Sequence, residues 1–132
     1  MEQDLPEVHR SVELDADLTA VWDAVADPER RAGWLDDDEA AAREVRVESV
    51  DDGHALAWTW WHPDDPASAS RVEIVLTELA SGGTRVAVTE RLVGTTGTIT
   101  ARASATATAG SLWVYRLLGL ELVLFTARAL VG

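Results

Sequence analysis

Two charged residues stand on strand faces that are otherwise apolar. Arg10 lines up with Val8, Val12 and Leu14, and Glu90 lines up with Val86, Val88 and Leu92. A carboxylate held away from water can act as a general acid or base when its pKa is shifted. A buried charge of either sign also needs a partner. His62, at the end of a Trp-rich segment, is the third group able to move a proton near an apolar face.

Other candidate chemistry is sparse. The run Asp36-Asp37-Asp38-Glu39 lacks the spaced oxygen ligands and the turn-forming Gly of a calcium loop, and reads as a solvated acidic loop. His9, His54 and His62 are scattered and the chain has no Cys, so no zinc site is expected. No Gly-rich phosphate loop precedes a helix, and no Ser/His/Asp spacing suggests a nucleophile. No catalytic residue is assigned, and no metal or cofactor is expected.

The elements that position these residues follow from periodicity. Val8 to Leu14 alternates as a strand. Asp15 or Asp17 can cap the next helix, because a short carboxylate accepts the free amides of a first turn. Leu18, Val21, Trp22 and Val25 fall on one helix face. Asp27-Pro28 starts a second short helix, Gly33 ends it, and Trp34-Leu35 returns an apolar pair to the core. Arg43 to Val50 and Ala55 to His62 alternate around the Asp51-Asp52-Gly53 turn and form a hairpin. The second of these strands places Leu56, Trp58 and Trp60 on one face. Pro63 to Ser70 reads as a loop. Arg71 to Leu79 and Thr84 to Val93 alternate around Ser81-Gly82-Gly83, which brings the count to five strands. Hairpin-joined strands of this kind build an antiparallel sheet with one buried face. Residues 94–110 are rich in Thr, Ala and Gly and carry no clear period. From Ser111 to about Leu130 the pattern is helical. Leu112, Trp113, Arg116, Leu117, Leu120, Val123, Leu124 and Ala127 map its apolar face. Leu118, Leu122 and Phe125 spill around that face and point to deeper burial or a homodimer contact.

At 132 residues the chain fits one domain, 1–132, with a single core. All 11 basic residues are Arg, consistent with a GC-rich coding bias and a bacterial origin. The formal net charge of -12 repels phosphate backbones, so nucleic acid and anionic membrane surfaces are unsuited as partners. Arg116, Glu121 and Arg128 interrupt the last helix, and no membrane span is expected. The acidic, polar segment MEQDLPEVHR is unlike a signal peptide, so the expected location is cytoplasmic.

In order and spacing, the chain resembles the SRPBCC (START-like, helix-grip) superfamily. Within it, the chain is most similar to the branch named after the C-terminal domain of the activator of the heat-shock-protein-90 ATPase. The residues that carry the resemblance are Val21-Trp22, Asp27-Pro28, Trp34, Leu56 to Trp60, Ser70-Arg71-Val72, Gly83-Thr84-Arg85-Val86, Val88-Thr89-Glu90, Trp113, Arg116-Leu117 and Leu120-Glu121. The stretch between Trp34 and the Asp51-Asp52-Gly53 turn is shorter than in many relatives. The resemblance implies an α+β helix-grip fold: a curved antiparallel sheet of about five to six strands wrapped on a long C-terminal helix, with two short helices after the first strand. It also implies that the first and last strands are neighbours, so that Arg10 and Glu90 can pair at a pocket rim or floor.

Such a sheet and helix enclose a mostly apolar cleft. The expected ligand-binding residues are Arg10, Trp22, Trp34, Trp58, Trp60, Val72, Ile74, Leu76, Val86, Val88, Glu90, Trp113 and Leu117. Six Trp beside one Tyr and one Phe offer broad flat surfaces with single donors, suited to a lipid-like or aromatic ligand or simply to filling a small core. The main functional expectation is a non-catalytic carrier or sensor of a small hydrophobic molecule. The alternatives that the resemblance implies are a polyketide aromatase/cyclase-like enzyme and a chaperone ATPase activator-like interaction domain. An acidic surface would suit a basic protein partner.

Overall fold

The structure, a computed structural model, describes residues 7–35, 37–93 and 111–125, apart from the side chains of 66–68. The expected irregular stretch at 94–110 and the end of the last helix lie outside the described residues. The element order is β1 (Glu7–Leu14), α1 (Leu18–Ala26), α2 (Pro28–Trp34), α3 (Asp38–Ala41), β2 (Glu44–Asp51), β3 (Ala55–His62), β4 (Asp65–Glu78) and β5 (Thr84–Leu92). A further helix, α4, follows over residues 111–125. The five strands form one antiparallel sheet in the order β1-β5-β4-β3-β2. The sheet, the short early helices and α4 together are the helix-grip arrangement.

Each helix start is set by a short carboxylate. Asp17 accepts from the Ala20 amide, Asp27 from Glu29 and Asp37 from Ala40. Pro28 occupies the first position of α2, where no amide donor is needed. Two expectations change. Pro63 to Ser70 is not mainly loop: β4 already begins at Asp65, and a register shift between Trp60 and His62 absorbs the irregularity. The acidic run is not a plain solvated loop either, because Asp37 caps the additional helix α3.

Pairing register explains the core. One cross-strand row runs Val8, Glu90, Val72, Trp58, Val47, and the next runs Arg10, Val88, Ile74, Leu56, Val50. Alternation sends these rows to the face that receives the helices. Val21 and Val25 of α1, Trp34 of α2 and Trp113, Leu117, Leu120 and Leu124 of α4 complete one continuous cluster. The Leu14–Ala16 corner is fixed by β5. Thr84 Oγ1, fully buried, donates to the Ala16 carbonyl at 2.8 Å. Gly83 passes so close that a Cβ there would stand 2.5 Å from the Leu14 carbonyl oxygen. Among the described residues no helix is long and apolar enough to cross a membrane.

Candidate functional site

Glu90 is the centre of a buried polar cluster at the middle of the sheet. Its Oε2 accepts from Trp60 Nε1 at 2.7 Å and from the Ser70 hydroxyl, and its Oε1 accepts from Trp113 Nε1 at 2.7 Å. Arg43 Nη1 lies 3.4 Å from Oε2. Strand register positions three of these groups: Trp60 stands opposite Ser70, and Glu90 lies one step along the same face beside Val72. The fourth comes from the helix, where Trp113 stacks on Trp60 with centroids 6.2 Å apart and planes inclined by 29°. Trp58 meets Trp60 edge-on at 5.6 Å.

Two guanidinium groups enclose this aromatic stack. Arg43 lies 4.8 Å from the centre of Trp60, and Arg116 lies 5.2 Å from Trp60 and 4.8 Å from Trp113. Arg116 is buried and donates from Nε and Nη2 to the two carboxylate oxygens of Asp37 at 2.7 and 2.9 Å. Burial pushes the Asp37 carboxyl up, but the bonds from Arg116 and the Ala40 amide outweigh it and hold Asp37 below its ordinary value. The cluster thus holds two cations and two carboxylates on three layers: the sheet, the α2–α3 segment and α4.

This arrangement revises the charge pairing read from sequence. Arg10 shares the inward face in register, opposite Val88, but it is exposed and its Nη1 donates to the His9 carbonyl at 2.8 Å. The cation at Glu90 is Arg43, whose position beside the short α3 could not be read from periodicity. His62 pairs instead with Glu39 at 3.2 Å.

The other named residues divide cleanly. Trp34, Trp58, Trp60, Val72, Ile74, Leu76, Val86, Val88, Trp113 and Leu117 are all buried in one cluster with Glu90. Trp34, Trp58, Trp60 and Trp113 expose 2% or less, so next to no space large enough for water borders them. Trp34 Nε1 is satisfied by the Ala24 carbonyl at 2.9 Å, whereas Trp58 Nε1 is buried without a partner. Trp22 is only partly buried and bonds Asp52 at the β2–β3 turn, at 3.1 Å. Sequence reading missed Asp37, Arg43, Ser70 and Arg116 as members of the cluster. A signal existed for two of them. Arg116 sits in the apolar face of its helix, and Ser70 continues the inward alternation of Val72, Ile74 and Leu76.

Open space lies at the end of the sheet–helix cleft. Leu14, Asp15 and Ala16 face Glu121, Leu122, Leu124 and Phe125 across a cavity of about 680 Å³. A little over half of its wall is apolar, and two carboxylates stand at its border. The Thr84 and Gly83 contacts that fix the Leu14–Ala16 corner therefore also fix one wall of the cavity.

A curved antiparallel sheet gripping a terminal helix, with a cleft between them, defines an SRPBCC-type domain. The chain belongs to the family of Activator of Hsp90 ATPase homolog 1-like proteins, whose model matches residues 35–116. Among solved structures it is similar to DynU16, a protein of the dynemicin biosynthetic locus, at 23% identity and a TM-score of 0.72. That match covers 95% of this chain but 49% of DynU16, so this chain spans about half the length of that protein. MLL2253 from Mesorhizobium loti matches at 20% identity and a TM-score of 0.74, covering 91% of this chain and 97% of that one. Aha1 from Colwellia psychrerythraea, solved as a dimer, matches at 15% identity and a TM-score of 0.67, covering 89% and 95%. At these identities the likeness is one of fold. No curated protein matches the chain.

Proposed function

We propose that this chain binds a small hydrophobic molecule as a non-catalytic carrier or sensor, in the cavity between the Leu14–Ala16 corner and the last turns of α4. The observation that carries the reading is the space of about 680 Å³ at that point of the sheet–helix cleft, with Leu14, Leu122, Leu124 and Phe125 in its wall. Its volume lies within the range of about 300–1,000 Å³ typical of small-molecule sites. The Trp-rich interior then has a different task, which is to make the walls rigid.

The distribution of proton-moving groups favours a carrier over a cyclase-like enzyme. Glu90 is committed to four donors in the interior, Arg10 is exposed and bonds the His9 carbonyl, and His62 pairs with Glu39. None of the three lines the cavity, whose described border carries the carboxylates of Asp15 and Glu121 instead. Leu122 and Phe125 belong both to the cavity wall and to an exposed apolar helix face with Leu118. A second copy docked on that face would close the cavity mouth; sedimentation at rising concentration tests this through the appearance of a dimer.

Native mass spectrometry of gently purified protein tests the carrier reading. A stoichiometric apolar compound released on denaturation is the expected result. A protein that is empty and takes up no member of a lipid and polyaromatic panel would overturn it.

A further inference from the structure

The outer face of the sheet, opposite the cleft, carries a second concave spot. Register places two short rows side by side there. One runs Glu7, Arg91, Arg71 and the other His9, Thr89, Glu73, across β1, β5 and β4. Glu7, Arg71, Glu73, Thr89 and Arg91 line a hollow of about 140 Å³. Arg71 and Arg91 are directly opposed across the strands. Like charges in that relation destabilise a sheet unless something neutralises them.

Carboxylates stand near both, Glu7 opposite Arg91 and Glu48 within electrostatic reach of Arg71, but among the described residues none of them bonds either guanidinium. Neither arginine forms a hydrogen bond or ion pair among the described residues, and neither do Glu7 and Glu73. By contrast Arg43, Arg46, Arg85 and Arg116 each hold a carboxylate. Glu48 bonds Thr59 and Arg46 and reaches Arg71 through space, without a hydrogen bond to it. Thr89 Oγ1 is oriented by His9 Nδ1 at 3.0 Å.

We infer that this hollow binds a compact zwitterion of the amino-acid type, with its carboxylate between the Arg71 and Arg91 guanidinium groups and its ammonium toward Glu73 or Glu7. The four charges select this class. A simple anion would gain the two guanidinium groups but meet two carboxylates and a chain of net charge -12. A simple cation would meet the arginine pair. A zwitterion is neutral overall, so the acidic surface does not repel it, and it satisfies both signs with charge-assisted hydrogen bonds. A volume of about 140 Å³ admits a ligand of glycine or alanine size and little more.

Amide-resolved NMR with glycine, acetate and ethylammonium as separate probes tests the inference. Glycine should shift the Arg71, Thr89 and Arg91 amides saturably, and bind at least about tenfold more tightly than either single-charge probe. Arg71→Gln and Arg91→Gln should abolish the shifts while the rest of the spectrum stays unchanged, because each removes a like-charge contact and no bond. Acetate binding as tightly as glycine would overturn the assignment in favour of a plain anion site. No saturable shift, or shifts that survive both substitutions, would overturn it altogether.

Discussion

Arg116, buried in the closing helix, donates two hydrogen bonds to Asp37, at 2.7 and 2.9 Å across 79 residues of sequence. The pair joins the α2–α3 segment to α4 directly above the Trp60–Trp113 stack. A buried ion pair adds little over a well-packed apolar pair, but removing one partner strands the other charge. Arg116→Ala is therefore expected to lose about 3–5 kcal/mol of unfolding free energy. Arg116→Met combined with Asp37→Asn should lose much less, since no lone charge remains. Chemical denaturation of the two variants checks this. Equal losses would show that the charges are not what matters.

The same pair makes stability depend on pH. Asp37 is held below its ordinary carboxyl value in the folded chain, so its contribution is whole above the unfolded value near 4 and is lost as pH falls through the lower folded value. Stability measured from neutral pH into that acid window should fall less steeply in Asp37→Asn than in the parent chain. Parallel curves would remove Asp37 from the account.

Glu90 is expected to be structural. Glu90→Gln keeps the shape but replaces one acceptor oxygen with a donor that faces Trp and Arg donors. Each unsatisfied buried donor costs about 1–3 kcal/mol, so a loss of about 3 kcal/mol is expected, with altered near-ultraviolet circular dichroism from Trp60 and Trp113. A variant as stable as the parent would mean that the cluster is held by aromatic packing alone.

How much of this was legible without coordinates depends on the kind of signal. Val72, Ile74, Leu76, Val86 and Val88 point inward as alternation requires, and all five expected strands form, although β4 begins at Asp65 rather than at Arg71. Asp17 and Asp27 cap helices because a cap is a local bond within three residues. The polar cluster depends on contacts 10 to 79 residues apart. Periodicity reports a face and not a partner, so it placed Arg10 and Glu90 on the inward face but could not choose between Arg10 and Arg43 as the cation. Asp37 was hidden for the same reason: in a run of four acids nothing local distinguishes the one that a distant arginine takes. The ligand-binding expectation fell on the Trp side chains because Trp suits both packing and binding, and the cavity found among the described residues is lined by others, Leu14 and Phe125 among them.

Gly83 tests the link between the sheet and the cavity wall. An added Cβ would meet the Leu14 backbone oxygen at 2.5 Å, and backbone gives way poorly. Gly83→Ala should lose about 1–3 kcal/mol through this overlap and should also weaken ligand uptake, because Leu14 lines the cavity. Thermal melts and ligand titration of the same sample check both halves. Loss of stability with unchanged uptake would separate the corner from the site.

The most direct test is a Nile red titration of the parent chain against Ala16→Trp, a substitution at the cavity wall and away from the Glu90 cluster. An uncharged apolar dye avoids repulsion by the acidic surface. Saturable binding by the parent, lost or weakened at least about tenfold in a folded Ala16→Trp, is the predicted result. Binding that is absent in the parent, or unchanged when the cavity is filled, would contradict the assignment of this space as the ligand site.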